Sequence, residues 1–384
     1  MNYQKICIIG DGLAGLTTAK ILSKENVKID LYSNNKKKKE IPDNRTTAIS
    51  ESNYQYIKNN LSLDRKNFFW PCKKINLFFE DRDKIVNFLN FEEKKKNLMY
   101  IFQNKDLKKK LDKIILTTSK IKLIKKNIKE LDNEEGYLIF KKKKLYYDLI
   151  VLSIGSHSEL YSKIEKGRSI EKNYDEIALT TIIKHDGKIE NSSQFFLKEG
   201  PLAILPFHKK IFSTVWSVSS EFFFTNKKNI RKILSEKLRI LLKIKSIKNI
   251  ENIQSFPISL NLKTKYFKKN VLILGDGLHA VHPMAGQGFN LVLRDIRKLK
   301  ELISKRLKLG LQIKDSFILK DFYNSRKPEN NLFGLGINLT NIFFKDNKYF
   351  FPIKKKILNN INKYSFVKKL SQSISDKGVF FKLL

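Results

Sequence analysis

The stretch 271–295, VLILGDGLHAVHPMAGQGFNLVLRD, decides the fold. Val271 to Leu274 are four apolar residues, the length of a short buried strand, and Gly275-Asp276 ends it. Two histidines, a proline and Gly286-Gln287-Gly288 come next, and then Asn290, Leu291, Leu293 and Ile296 at helical spacing. A strand, a glycine-rich bend and a helix start in that order turn backbone N–H groups toward an anion. The Asp276 carboxylate, at the strand's C-terminal end, is placed to accept hydrogen bonds from a chain of hydroxyls. Gly-Gln-Gly alone favours an ordinary strand–loop–helix corner. Asp276, His279, His282-Pro283 and Gly286-Gln287-Gly288 together point to a ligand site.

Working outward, residues 4–33 hold a second such corner at the N-terminus, QKICIIGDGLAGLTTAKILSKENVKIDLYS. Ile6 to Ile9 reads as a buried strand, Gly10-x-Gly12-x-x-Gly15 as the turn, Leu16 to Ser23 as a helix, and Val27 to Tyr32 as a second strand. The glycines allow the tight turn and let the backbone approach a pyrophosphate at the helix N-terminus. Spacing from Gly10 puts Ser33 where such folds carry the acidic residue that binds the adenosine ribose; Asp30 comes three residues too early.

These segments resemble the FAD-dependent aromatic hydroxylases of ubiquinone biosynthesis, within the single-component flavin monooxygenases of the p-hydroxybenzoate hydroxylase fold. The likeness rests on Asp276, His279, His282-Pro283, Gly286 to Gly288, Asn290 and Asp295, on residues 43–50 (DNRTTAIS), and on Gly200-Pro-Leu-Ala-Ile-Leu-Pro206 with Ser213-Thr-Val-Trp-Ser217. It implies that Asp276 meets the FAD ribityl chain and that Gly286, Gln287 and Gly288 start a helix under the flavin's pyrimidine edge. Gly10, Gly12, Gly15 and Arg45 would lie at the pyrophosphate, and Ser33, Asn104 and Asn290 would be further cofactor contacts. Pro206, His282 and Pro283 would stand near the flavin ring. No residue is assigned as catalytic, because the flavin carries the chemistry.

The resemblance further implies an α/β (α+β mixed) architecture. A Rossmann-like FAD-binding domain is assembled from 1–74, 98–160 and 265–335, a mostly antiparallel substrate domain from 75–97 and 161–264, and 336–384 is a basic, helical C-terminal segment. The implied reaction is hydroxylation of a polyprenylated phenol with O2 and NADPH or NADH, through a flavin hydroperoxide. Relatives carry Ala-Asp-Gly-x-x-Ser-x-x-Arg in a segment that serves both FAD and NADPH. This chain keeps Gly155 and Ser158 there, but has Ile154 for the aspartate and Tyr161 for the arginine. Two other readings stay open: a halogenase or prenyl reductase of the same fold, and an impaired flavoprotein acting as a scaffold in a multiprotein complex.

Composition sets the setting. The net charge of +38 suggests nucleic acid first. Yet the lysines are spread along the chain and accompany abundant Ile, Asn, Phe and Tyr, as in an AT-rich genome, so the first reading is a solvated surface without nucleic acid, and the second is affinity for an anionic membrane surface. No apolar run of transmembrane length and no leader-like N-terminus is seen, and Cys7 and Cys72 are the only cysteines. The expected location is cytoplasmic, peripheral at the inner face of the cytoplasmic membrane. Ile353, Ile357, Ile361, Tyr364, Val367 and Leu370, interleaved with lysines, have the spacing of an interfacial helix or of one docked on the core. No metal-ligand spacing stands out. Finally, Leu98 to Leu116 reads as one helix, 75–91 as paired strands, and Ile230 to Leu242 as a basic helix.

Overall fold

The computed structural model describes residues 3–33, 43–61, 63, 68–82, 84–128, 130–132, 135–140, 142–156, 158–162, 164, 169–283, 286–314, 317–344, 358 and 365–378. The chain begins with β1 (Gln4–Ile9), α1 (Leu13–Leu22), β2 (Val27–Ser33), β3 (Thr46–Ser50) and α2 (Glu51–Leu61). It continues with β4 (Trp70–Cys72), β5 (Lys74–Asp81), β6 (Lys84–Glu92), β7 (Met99–Gln103) and α3 (Asn104–Leu116). Next come β8 (Ile121–Lys125), β9 (Glu130–Asp132), β10 (Tyr137–Phe140), β11 (Lys143–Tyr146), β12 (Leu149–Leu152) and α4 (Glu159–Ser162). The long middle contains β13 (Ser169–His185), β14 (Ser192–Leu197), β15 (Gly200–His208), β16 (Ile211–Ser219), α5 (Ser220–Asn226) and α6 (Ile230–Leu242). After it lie β17 (Ile247–Ile250), β18 (Gln254–Lys263), β19 (Phe267–Lys268), β20 (Val271–Ile273) and β21 (His279–Ala280). The last elements among the described residues are the helices α7 (Gly288–Lys308), α8 (Phe317–Phe344) and α9 (Ser365–Lys377).

Two large sheets result. The first has the order β19-β20-β12-β1-β2-β8, and its central strands are parallel. Ile6 to Ile9 and Leu149 to Leu152 are buried along their whole length, because they share one core with Leu16 of α1, Leu293 of α7 and Leu131 and Leu138 of the small β9-β10-β11 sheet. The second runs β21-β18-β13-β16-β15-β14-β5-β6, with β17 added beside β13, and is almost wholly antiparallel. Its strands alternate. Leu202, Ile204, Phe212, Trp216 and Val218 pack beneath Leu234 and Leu238 of α6, and the residues between them face the other way.

Two details differ from the sequence reading. Residues 99–103 are not the start of a helix but β7, a strand held between β3 and β4; the helix begins only at Asn104. Tertiary pairing overrides the local apolar spacing here. The boundary at 335/336 falls inside α8, which runs unbroken from Phe317 to Phe344.

Candidate functional site

A cavity of about 1590 Å³ lies between the two sheets. That exceeds the roughly 300–1,000 Å³ of a pocket for one small ligand, so it has room for a dinucleotide and a second molecule.

One end is built by the first glycine turn. Gly10 has φ +116°, and a Cβ on it would come within 2.1 Å of the Ser153 carbonyl oxygen; a Cβ on Gly15 would come within 2.0 Å of the Gly10 oxygen. Both glycines are therefore demanded by backbone packing. Gly12 is different. It precedes α1, no side chain caps the helix there, and nothing lies within 4 Å of where its Cβ would be. The opening faces the cavity, whose wall includes Gly12, Leu13 and Ala14.

The second glycine turn meets the same space. Asp276 stands exposed in a 3-10 turn over Gly275–Gly277, and Gly286 has φ +62°. Gln287 precedes α7 without capping it through its side chain, and Gly288 also has open space around its missing Cβ. Two helix N-termini thus converge on one cavity, each with its positive end toward it. Buried polar atoms point the same way: Ser153 Oγ and His279 Nδ1 belong to cavity-wall residues and have no hydrogen-bond partner. These open glycines, bare helix ends and orphaned atoms suit a group bearing phosphates and hydroxyls.

Arg45 and Asn104 are brought to this wall as well. The Arg45 guanidinium is gripped by Asp43 through two hydrogen bonds, Nε to Oδ1 at 2.8 Å and Nη2 to Oδ2 at 2.9 Å. The bonds to Asp43 hold Arg45 above its ordinary pKa, against the effect of burial. Asn104 accepts a 2.6 Å bond from Thr47 Oγ1.

A buried polar network holds the second glycine turn. His279 Nε2 meets Asp295 Oδ2 at 2.6 Å, and the other Asp295 oxygen accepts from Arg326 Nε at 2.6 Å. Arg326 also donates to Glu329 and, at 2.8 Å, to Asn330. Arg294 donates to the Ser375 carbonyl at 2.8 Å, and Asp376 accepts from the Ser52 N–H at 2.8 Å, which docks α9 against the cavity. Ser371, Gln372, Ser375 and Asp376 of α9 form part of the cavity wall.

The far wall is the antiparallel sheet. Ile75, Leu77, Phe196, Ala178, Ala203, Leu205, Val215 and Phe256 give it an apolar surface, and Thr180, Ser192 and Gln194 add uncharged polar groups.

Comparison with known proteins agrees with this geometry. The family described as "FAD binding domain" matches residues 154–310. The chain is 24% identical to the ubiquinone biosynthesis monooxygenase COQ6, mitochondrial, of Dictyostelium discoideum, over 97% of this chain and 91% of that one. It is 26% identical to the ubiquinone hydroxylase UbiL of Rhodospirillum rubrum, over 41% of this chain and 38% of that one. Among solved structures, p-nitrophenol 4-monooxygenase PnpA of Pseudomonas putida DLL-E4 superposes with a TM-score of 0.80 at 13% identity, over 99% of both chains. HpxO of Klebsiella pneumoniae, solved with FAD and uric acid, gives 0.76 at 14% identity, over 97% of both. Residues 154–310 thus carry an FAD binding domain, and over nearly its whole length the chain is similar to a ubiquinone biosynthesis monooxygenase.

Several contacts expected from the sequence lie off the cavity wall or are engaged by the protein itself. Pro206 is buried on the sheet face opposite the cavity, because strand alternation gives the cavity Ala203 and Leu205. His282 is fully buried outside the wall, 2.9 Å from Glu176 Oε2, whereas Pro283 does line the cavity. Asn290 is a staple. Its amide donates to the Ala48 and Gly286 carbonyls, and its oxygen accepts from Ser50 N and Asn53 Nδ2, which uses its hydrogen-bonding capacity on protein. Ser33 is buried at the end of β2 and is absent from the cavity wall of described residues.

Tyr161, standing for the family's arginine, has a structural use. Its hydroxyl donates to the Gly155 carbonyl at 2.8 Å and accepts from Ile154 N at 3.3 Å. A Cβ on Gly277 would sit 2.2 Å from that hydroxyl, so the ring fits only against glycine. Burial pushes the Tyr161 phenol pKa up. Among described residues no cluster of His, Cys, Asp and Glu could hold a metal, and both cysteines are buried and free. The sequence reading missed the grip of Asp43 on Arg45, the Asp295–Arg326 pair and the contact of α9 with the cavity. Asp43 lay in plain view two residues before Arg45, a spacing that allows a local carboxylate–guanidinium pair.

Proposed function

We propose that the protein hydroxylates the aromatic ring of a polyprenylated phenol in ubiquinone biosynthesis, using O2 and reducing equivalents from NADPH or NADH. The observation that carries this reading is the division of one cavity between two bare helix N-termini and an uncharged, largely apolar sheet wall. FAD would be held by Gly12, Arg45, Asp276 and Gly286 to Gly288, with Gly10 and Gly15 shaping the turn. When bound, it supplies the oxidation chemistry. The helix N-termini stabilise negative charge at the phosphates and at the ring. The apolar wall positions the substrate and keeps water away from the reacting atoms.

The Ile154 and Tyr161 pair bears on the electron donor. A carboxylate acceptor is missing from the segment that serves NADPH in relatives, and Tyr161 spends its hydroxyl on the backbone. Reduction by NADPH is therefore expected to be slow, with oxygen chemistry intact. Stopped-flow mixing separates the halves: NADPH without air first, then chemically reduced enzyme with O2 and a prenylated phenol. Rapid reduction at low NADPH contradicts the reading of Ile154. Failure of the reduced enzyme to hydroxylate prenylated phenols contradicts the function and favours the scaffold.

A membrane-resident substrate calls for a surface contact, since no helix among the described residues is long and apolar enough to cross a membrane. Leu332, Leu335, Leu339 and Ile342 follow at three- and four-residue steps along α8 and are exposed, Leu339 by 65%. With a net charge of +38, this stripe is suited to an anionic bilayer, where the protein would sit peripherally, at the inner face of the cytoplasmic membrane. Most of the lysine-rich stretch read as an interfacial helix, including Ile353, Ile357, Ile361 and Tyr364, lies outside the described residues. Leu335→Glu with Leu339→Glu is expected to lower co-sedimentation with phosphatidylglycerol vesicles several-fold at constant thermal stability. Undiminished binding places the contact elsewhere.

A further inference from the structure

The cavity-facing side of the antiparallel sheet can be read strand by strand. Leu77 pairs with Gln194, Gln194 with Ala203, Ala203 with Val215, and Val215 with Thr180. Residues in register on neighbouring strands share a face, and all five of these line the cavity. The row therefore has two polar members, Gln194 and Thr180. They stand three strand steps apart, about 14 Å at the backbone, and the short side chains of Ala203 and Val215 leave a shallow floor between them.

Thr180 is 3% exposed, and its hydroxyl has no hydrogen-bond partner. Neighbouring threonines show what the strands do with a hydroxyl when they can: Thr181 Oγ1 donates to the Glu251 carbonyl at 2.9 Å, and Thr214 Oγ1 to the Ala203 carbonyl at 2.9 Å. Thr180 belongs to the cavity wall, and its hydroxyl finds no such outlet. Valine, already present in the same row at 215, would fill the position without an unmet polar atom. An orphaned hydroxyl in an otherwise apolar stretch of wall is a cost to the free protein, recovered when a ligand supplies the partner.

We propose that Thr180 is a specificity-determining residue whose hydroxyl bonds an uncharged oxygen substituent of the aromatic substrate, most simply a phenol hydroxyl. This rests on the cavity being the substrate site of a flavin monooxygenase. The row Leu77, Gln194, Ala203, Val215 and Thr180 carries no charge, and Arg45, whose guanidinium lies over Phe256 on the next strand, is already paired with Asp43, so a neutral hydroxyl matches this stretch of wall better than a carboxylate. Thr180 would thereby fix how the ring lies on the Ala203–Val215 floor.

The test uses FAD-reconstituted full-length protein as wild type, Thr180→Val and Thr180→Ser. Each is titrated with a short-chain prenylated phenol and with the matching prenylated benzene that lacks the hydroxyl, following the visible spectrum of the bound flavin. Wild type and Thr180→Ser should prefer the phenol by about tenfold, the value of one hydrogen bond. Thr180→Val should lose most of that preference, keep its FAD affinity, and unfold at no lower temperature than wild type in the absence of ligand. A residue of merely structural importance would not change the phenol-to-benzene ratio while leaving the melting temperature intact. An unchanged ratio in Thr180→Val overturns the assignment alone. If flavin-loaded wild type binds neither compound, the proposal and the reading of the cavity fall together.

Discussion

Replacing Arg326 with alanine is expected to destabilise the protein by about 3–5 kcal/mol, the cost of leaving one partner of a buried pair uncompensated. Asp295 is fully buried and holds Arg326 Nε and His279 Nε2, each at 2.6 Å. Burial alone would raise its pKa; the Arg326 charge and His279 outweigh that and hold it below the usual carboxylate range. A depressed carboxylate contributes stability that is present above its unfolded value, about 3.9, and is lost as pH falls through the lower folded value. Wild type should thus keep this contribution through neutral pH and lose it only in acid. Arg326→Lys should recover only part, because an ammonium cannot reproduce a guanidinium that serves Asp295, Glu329 and Asn330 at once. Urea denaturation at pH 7 measures the difference, and a loss under about 1 kcal/mol would count against the network's role.

The second large effect concerns the cofactor. Asp276→Ala removes a charged acceptor from the proposed ribityl position, worth about 1.5–3 kcal/mol, or roughly ten- to over a hundred-fold in FAD affinity. The side chain is exposed in its turn, so melting of the FAD-free protein should be unchanged. Fluorescence titration with FAD gives the affinity. A change below about threefold would remove Asp276 from the site.

The parts of the site that were legible in the sequence share a cause. Gly10 and Gly15 are glycine because backbone oxygens occupy the space of a side chain, so the motif records the turn itself. Asp276 and Gly286 to Gly288 stand beside a strand end and a helix start, which local pattern also records. What could not be read depends on pairing between distant segments. Pro206 and Leu205 exchange roles with a one-residue change of face, and only the register of β15 against β14 and β16 settles it. Thr180 gains its meaning from Val215 and Ala203 on two other strands. Asp295 finds Arg326 across two helices, 31 positions along the chain. Asn290 matches the sequence pattern and lies at the cavity wall, yet its side chain is spent on clipping α7 to β3.

The space between the two helix N-termini is the proposed FAD site, and Gly12 tests it most directly. Nothing within 4 Å opposes a Cβ there, and φ −75°, ψ 177° suits alanine, so Gly12→Ala should fold and melt like wild type. The added methyl would intrude only on a bound pyrophosphate. Titrating both proteins with FAD, by quenching of flavin fluorescence, should show one bound FAD per wild-type chain and an affinity at least tenfold weaker for Gly12→Ala. Equal affinity of the two would move the pyrophosphate away from α1, and a wild-type chain that leaves FAD fluorescence unquenched would contradict the account itself.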